Sequence, residues 1–254
     1  MEQAPLAWRV EETCLNAWPA LQQVLFDGWV LRFSRGLSRR ANSANPLAGA
    51  RGATEPLIAG CEALFRRHRL PTIFRLPSLV GGDVDARLAA RGYREEGLSL
   101  VLHTGLERLA AARDAEVRLM PRPSPRWFAA MASLQRHSPE QAATYRRIIG
   151  VLAIPAAFAA LRAEGEIAAL GYGAVHRGLL CYQSLVTDPS RRRRGYAGRI
   201  IASLAAWARA EGATGACLEV EAGNAPALAL YRRLGFAELY RYHYRRHEAA
   251  SGTG

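Results

Sequence analysis

Hydrophobic and polar positions along the second half of the chain change period several times. Ser124 and Ser138 each precede a proline and an apolar-periodic stretch. Ser138-Pro139-Glu140-Gln141 joins a capping serine, proline at the first helical position and glutamine at the third, so two helices are expected over about 124–150. Strands are expected at 116–120, 156–161, 167–175 and 179–186, with Ala163-Glu164-Gly165 and His176-Arg177-Gly178 as turns of a meander. Ile200, Leu204 and Trp207 then recur at helical spacing, and Gly212 ends that run. Residues 217–221 read as a strand, 225–234 as a helix closed by Gly235, and 236–244 as a last strand. This order predicts a mixed α/β sheet.

The first half repeats the second at an offset of 143 residues, read without a gap. Gly28-Trp29 falls on Gly171-Tyr172, Pro46 on Pro189, Arg51-Gly52 on Arg194-Gly195, and Gly92-Tyr93 on Gly235-Phe236. Turn residues carry this match, because alanine and arginine bias inflates simple identity. The breaker-rich segment Pro121-Arg122-Pro123-Ser124-Pro125 lies just past the junction, which sets two α/β units at 1–112 and 113–254.

Composition narrows the class. A chain of 254 residues, half of them hydrophobic, can bury one large or two small cores, which excludes general disorder. The longest apolar stretch, 151–161, contains Pro155 and falls short of the roughly 18 residues of a membrane span. The N-terminus lacks a basic segment followed by an apolar one, so a soluble cytoplasmic protein without membrane partners is expected. Cys14, Cys61, Cys181 and Cys217 lie far apart in sequence, so reduced, buried thiols and no metal site are expected. All 34 basic residues are arginine, and the formal charge is +12. Through residue 115 there are 15 arginines against 12 acids, and beyond it 19 against 10, so the second half carries most of the field that attracts anions.

The segment 186–198 joins a strand to a helix. Helix starts present several unpaired N–H groups beside the positive end of the helix dipole, and Gly195, Ala197 and Gly198 leave room for a pyrophosphate there. A solvated basic loop is the plain alternative. The segment is neither a Walker loop nor a GxGxxG turn. Arg191-Arg192-Arg193-Arg194 could grip a nucleic acid, but no interleaved aromatics or helix-turn-helix spacing supports that, and no nucleic-acid partner is expected.

Arg192-Arg193-Arg194-Gly195-Tyr196-Ala197 matches the Gln/Arg-x-x-Gly-x-Gly/Ala signature of the GCN5-related N-acetyltransferases, which the chain resembles over about 116–246. The family's downstream motifs correspond to Asn224-Ala225-Pro226-Ala227 and Tyr231-Arg232-Arg233-Leu234-Gly235-Phe236. The resemblance implies two mixed-sheet domains of this fold, the N-terminal one degenerate, and acetyl-CoA as cosubstrate. It implies that backbone groups of Leu185 and Val186 pair with the pantetheine arm, that 193–198 hold the pyrophosphate with Arg192 opening the loop, that Asn224 contacts the pantetheine region and that Tyr231 lies near the thioester sulfur. Taken alone, Asn224 is equally an N-cap, and Tyr231 a half-buried helix aromatic.

The implied reaction is direct attack of an amine on the thioester, with Tyr231 protonating the leaving thiolate. The amine must first be neutral, which costs about 4.6 kcal/mol at pH 7 for a lysine-like group and about 1 for an α-amine. Many family members place a glutamate on the strand before the loop, whereas 179–186 hold no carboxylate. Glu219 and Glu221 are the substitutes on the neighbouring strand. Opposite Arg192, Asn224 and Tyr231 the first half has Gly49, Gly81 and Leu88, so it is read as a copy without cofactor. Arg40, Asn42 and Ser43 are weak acceptor-site candidates. The acceptor is a small-molecule or peptide amine, a homodimer is left open, and a CoA- or anion-binding sensor without turnover is the alternative function.

Overall fold

The computed structural model describes residues 3–50, 52–81, 83–110 and 112–248. Among the described residues seven α-helices flank one sheet: α1 Gln3–Ala17, α2 Glu55–Arg67, α3 Val84–Ala90, α4 Pro125–Leu134, α5 Pro139–Gly150, α6 Tyr196–Ala210 and α7 Ala225–Arg233. The strands are β1 Gln22–Phe26, β2 Trp29–Phe33, β3 Ala44–Pro46, β4 Thr72–Pro77, β5 Arg94–Gly105, β6 Val117–Met120, β7 Ala156–Ala163, β8 Glu166–His176, β9 Leu179–Thr187, β10 Gly215–Glu221 and β11 Ala237–His247. Local chemistry explains most boundaries. The capping box at Ser138 forms in both directions, Ser124 accepts from Trp127 N–H, and Asn224 accepts from Ala227 N–H at 3.2 Å. Glu164-Gly165 and Arg177-Gly178 turn their hairpins with both residues at positive φ, the geometry of two-residue loops that suit strand twist.

The strand order is β1-β2-β3-β4-β11-β5-β10-β9-β8-β7-β6. Its centre is an exchange. β5, from the first half, runs antiparallel along β10, and β11, from the second half, runs antiparallel along β4. Because β5 and β11 also pair with each other, the two halves share one continuous mixed sheet. α1, α4 and α5 pack on one face around Trp127, Tyr145 and Tyr172. On the other face α6 and α7 cover Leu180, Leu218 and Phe236, while α2 and α3 cover Trp29 and Phe74.

The repeat is real but not gapless. From β3 onward the offset of 143 holds: Gly52 and Gly195 both take positive φ at the start of a helix, as do Gly92 and Gly235 after one. Before β3 it does not. Asp27-Gly28 is the turn that matches Glu164-Gly165, since Phe26 pairs with Trp29 as Ala163 pairs with Glu166. Gly28-Trp29 therefore does not correspond to Gly171-Tyr172, and the difference of six residues lies in the longer β8–β9 hairpin.

Candidate active site

β9 and β10 run parallel only at Leu179–Cys181 against Gly215–Cys217, after which they part. The cause lies on the other side of β9. Its register with β8 slips between the pairs Leu170–Val186 and Tyr172–Gln183, and Ser184 sits at φ +53 as the extra residue of a bulge. Gly171 faces this bulge. A Cβ there would fall 2.6 Å from Leu185 Cδ2 and 3.1 Å from Leu185 Cα, so only glycine lets the strands approach. Residues 182–187 consequently leave β10 with one edge unpaired toward it.

That edge leads to the start of α6. Asp188 Oδ1 accepts from Ser190 N–H at 2.9 Å and sets a short helical turn, Arg192 is extended, and Arg193 and Gly195 adopt φ +61 and +78. No side chain caps α6, whose N-cap is Gly195. The first amide to close a helical bond is that of Arg199, onto Gly195 O at 3.2 Å, so the amides of Tyr196, Ala197 and Gly198 have no helical acceptor. A Cβ added at Gly195 or Gly198 would meet no protein atom within 4 Å, so both glycines border open space.

This space is a cavity of about 560 Å³. Every residue expected to hold the cofactor lines it: Leu185, Val186, Arg192, Arg193, Arg194, Gly195, Tyr196, Ala197, Gly198, Asn224 and Tyr231. Ala169, Leu170 and Arg233 also line it and were not anticipated; the first two arrive because the bulge beside Gly171 turns β9 aside. Arg191 and Arg194 lean on Glu164, at 3.2 and 3.8 Å. Among the described residues, Arg192 and Arg193 make no ion pair. A larger groove of about 790 Å³ lies between α6 and β6–β7, around Trp207 and Met120, away from these amides. Tyr231 is 9% exposed, packs edge-on to Phe236 and has no side-chain hydrogen bond among the described residues. Burial pushes its phenol up to about 12, so it stays a neutral O–H donor at physiological pH.

The two acids lie elsewhere. Alternation along β10 turns Leu218 and Val220 toward α6 and α7, with Tyr231, and sends Cys217, Glu219 and Glu221 to the face of α1. The side chain of Glu219 is buried and bridged by Arg40 and Arg75, the latter also paired with Glu11 of α1. Burial works to raise its pKa, but the two guanidinium groups outweigh this and hold it at about 2. Glu221 is exposed and lies 3.4 Å from Arg39. Of the acceptor candidates, Asn42 folds its own loop by accepting from Ser34 and Gly36 amides at 2.7 and 2.9 Å, Ser43 is buried, and Arg40 also donates to Gln183 at 3.1 Å.

Residues 8–245 match the family described as "Probable histone acetyltransferase Rv0428c C-terminal". The chain belongs to this family. It is 26% identical over 242 residues to "Uncharacterized N-acetyltransferase YobR" of Bacillus subtilis (strain 168), covering 93% of this chain and 97% of that relative. Among solved structures, a GCN5-related N-acetyltransferase from Kribbella flavida superposes with a TM-score of 0.65 at 17% identity, over 96% of this chain and 95% of that one. A tandem GNAT protein from the clavulanic acid biosynthesis pathway gives 0.64 at 15%, over 83% and 76%. The protein is thus an acyltransferase with the GCN5-related N-acetyltransferase fold. Among the described residues no helix is long and apolar enough to cross a membrane.

Proposed function

We propose that this enzyme transfers the acetyl group of acetyl-CoA to an amine, with the cosubstrate held only by the second of two related units, 113–254. The observation that supports this most is the continuity of one cavity. It runs from the uncapped amides of 196–198, past the unpaired edge at Leu185 and Val186, to the phenol of Tyr231. A pyrophosphate suits the first part, since amides and a helix dipole favour anions without a lysine. An amide-bearing arm suits the second, because an extended chain can bond a strand edge. Arg192 and Arg193 add positive charge at the mouth. Asn224 caps α7 and borders the arm.

In this reading the amine attacks the thioester carbonyl carbon, and the Tyr231 O–H donates to the sulfur as the carbon–sulfur bond breaks. With its pKa near 12, Tyr231 acts by a strong hydrogen bond to the thiolate, and the proton released by the amine restores the neutral thiol. Glu219 and Glu221 are the carboxylates proposed to ease amine deprotonation across the splayed strands. Glu219 is a weak base, because protonating it would leave the buried Arg75 beside a neutral partner. A thiol-release assay over a panel of small amines and peptides tests the reading. Turnover with one acetyl-CoA bound per chain is expected. Binding without release of free thiol would leave a sensor instead, and a second bound acetyl-CoA would place a site in the first half. Identical pH–rate profiles for Glu219→Gln, Glu221→Gln and the parent would remove both acids from the mechanism.

A further inference from the structure

At the apex where β9 and β10 begin to part, three cysteines that are remote in sequence meet. Cys181 and Cys217 are cross-strand partners in the last paired rung, and Cys14 descends on them from α1. All three are buried, and their sulfurs lie within 4.8 Å of one another, Cys14 and Cys181 at 3.8 Å. We propose that Cys14, Cys181 and Cys217 form a binding site for a soft, three-coordinate metal cation of the Cu(I) type.

Geometry supports this. Three coplanar metal–sulfur bonds of about 2.3 Å place their sulfurs about 4.0 Å apart, close to the 3.8 Å between Cys14 and Cys181 and inside the 4.8 Å that bounds the other two pairs. Thiolate donors select soft cations, and carboxylate-preferring ions such as Mg(II) or Ca(II) find no oxygen cage here. Zn(II) takes four ligands in closed sites, and no fourth His, Cys, Asp or Glu donor joins this cluster among the described residues.

The surroundings offset half of the charge on such a unit, since Cu(I) with three thiolates carries two negative charges. A void of about 10 Å³, the scale of a single water, is lined by Cys14 together with Arg32, Arg40, Arg75 and Glu219. Adding Glu11, the partner of Arg75, these groups hold three positive and two negative charges, so one positive charge is left over beside the sulfurs. Gln183 Nε2 points at Cys181 Sγ from 3.4 Å, the kind of outer donor that steadies a thiolate ligand. Binding is a substitution without electron transfer. Each of three S–H groups gives its proton to solvent, three sulfur–metal bonds form, and the cation keeps its charge. The unit would tie α1, from the first half, to both strands of the splay.

The test uses the full chain, reduced and handled without oxygen, with Cu(I) as the probe. Because the cluster is buried, Cu(I) is supplied both to the native protein and during refolding. One Cu(I) per chain should survive competition by a Cu(I) chelator, X-ray absorption should show three sulfurs at roughly 2.3 Å, and Tm should rise on loading. Cys14→Ala and Cys217→Ala should each weaken retention at least tenfold, while Cys61→Ala, on the buried face of α2, should retain the ion as the parent does. Three results would overturn the proposal: no retained Cu(I) by either route, a two-sulfur shell in the parent, or equal retention by Cys14→Ala. The sulfur count needs no variant, so a substitution that unfolds the chain does not rescue the idea.

Discussion

The first turns of α2 and α6 occupy matching places in the two halves and solve one problem in opposite ways. In α2, Thr54 caps the helix by accepting from Leu57 N–H at 3.3 Å. Trp29, fully buried, donates its indole N–H to Gly52 O at 3.3 Å, and Val84 closes over Gly52. In α6 the position matching Thr54 is Ala197, which offers no oxygen, and Gly195 and Gly198 border a cavity. Further along, Leu88 is fully buried where Tyr231 lines that cavity. A helix start that satisfies its own amides needs no ligand, whereas one left bare beside an arginine-rich loop gains by taking an anion.

That contrast can be broken in four places. The largest effect is expected from Tyr231→Phe, which should lower kcat by about 10²- to 10⁴-fold while acetyl-CoA binding and Tm hold, since the hydroxyl bonds no described residue. An unchanged kcat would remove Tyr231 from the chemistry. Next, Gly198→Asp should raise the Kd for acetyl-CoA at least tenfold, about 1.4 kcal/mol, because a carboxylate would stand where the pyrophosphate is proposed. The same carboxylate lies in the first turn of α6, so Tm should stay or rise. Calorimetry and thermal melts separate the two readouts, and loss of both would mean a folding defect. Third, Thr54→Ala should cost about 1 kcal/mol in urea unfolding and leave acetyl-CoA affinity unchanged. A weakened affinity would show that the first half shares the site.

The smallest effect concerns Asp85 of α3, which has Leu228 as its counterpart on α7. Hydrogen bonds from Arg245 and His243 outweigh partial burial and hold Asp85 at about 2, below the ordinary carboxylate value. Its folded pKa is depressed, so its contribution is present above about 3.9 and is lost as pH falls through about 2. Because the group is half exposed, Asp85→Asn should cost well under about 1 kcal/mol at pH 7, and the gap from the parent should close between pH 4 and 2. Urea midpoints at both ends of that range check it; a constant gap would assign the effect to packing.

Much of this was legible in the sequence because it is written in short-range chemistry. The Ser138 capping box, the turns at Glu164-Gly165 and Arg177-Gly178, the stop at Gly212 and the loop 192–198 all depend on residues within a few positions of one another. The exchange of β5 and β11 was not legible. Both are long antiparallel strands following a Gly-closed helix, so nothing local states which parallel strand each will join. The gap in the repeat was hidden for a related reason, since Gly28 and Gly171 look alike in sequence although one turns a hairpin and the other admits a bulge. Nor could the chain show that Cys14 would meet Cys181 across 167 positions, because α1 carries no mark of the face it covers.

The crossing of the last strands also constrains how the protein is made. β4 is synthesised early, yet its neighbour β11 is the last strand among the described residues. As translation proceeds from the N-terminus, the first half emerges from the ribosome with an open edge that nothing already made is built to cover. That edge must wait, guarded or unfolded, until β11 has left the exit tunnel and can pair with it.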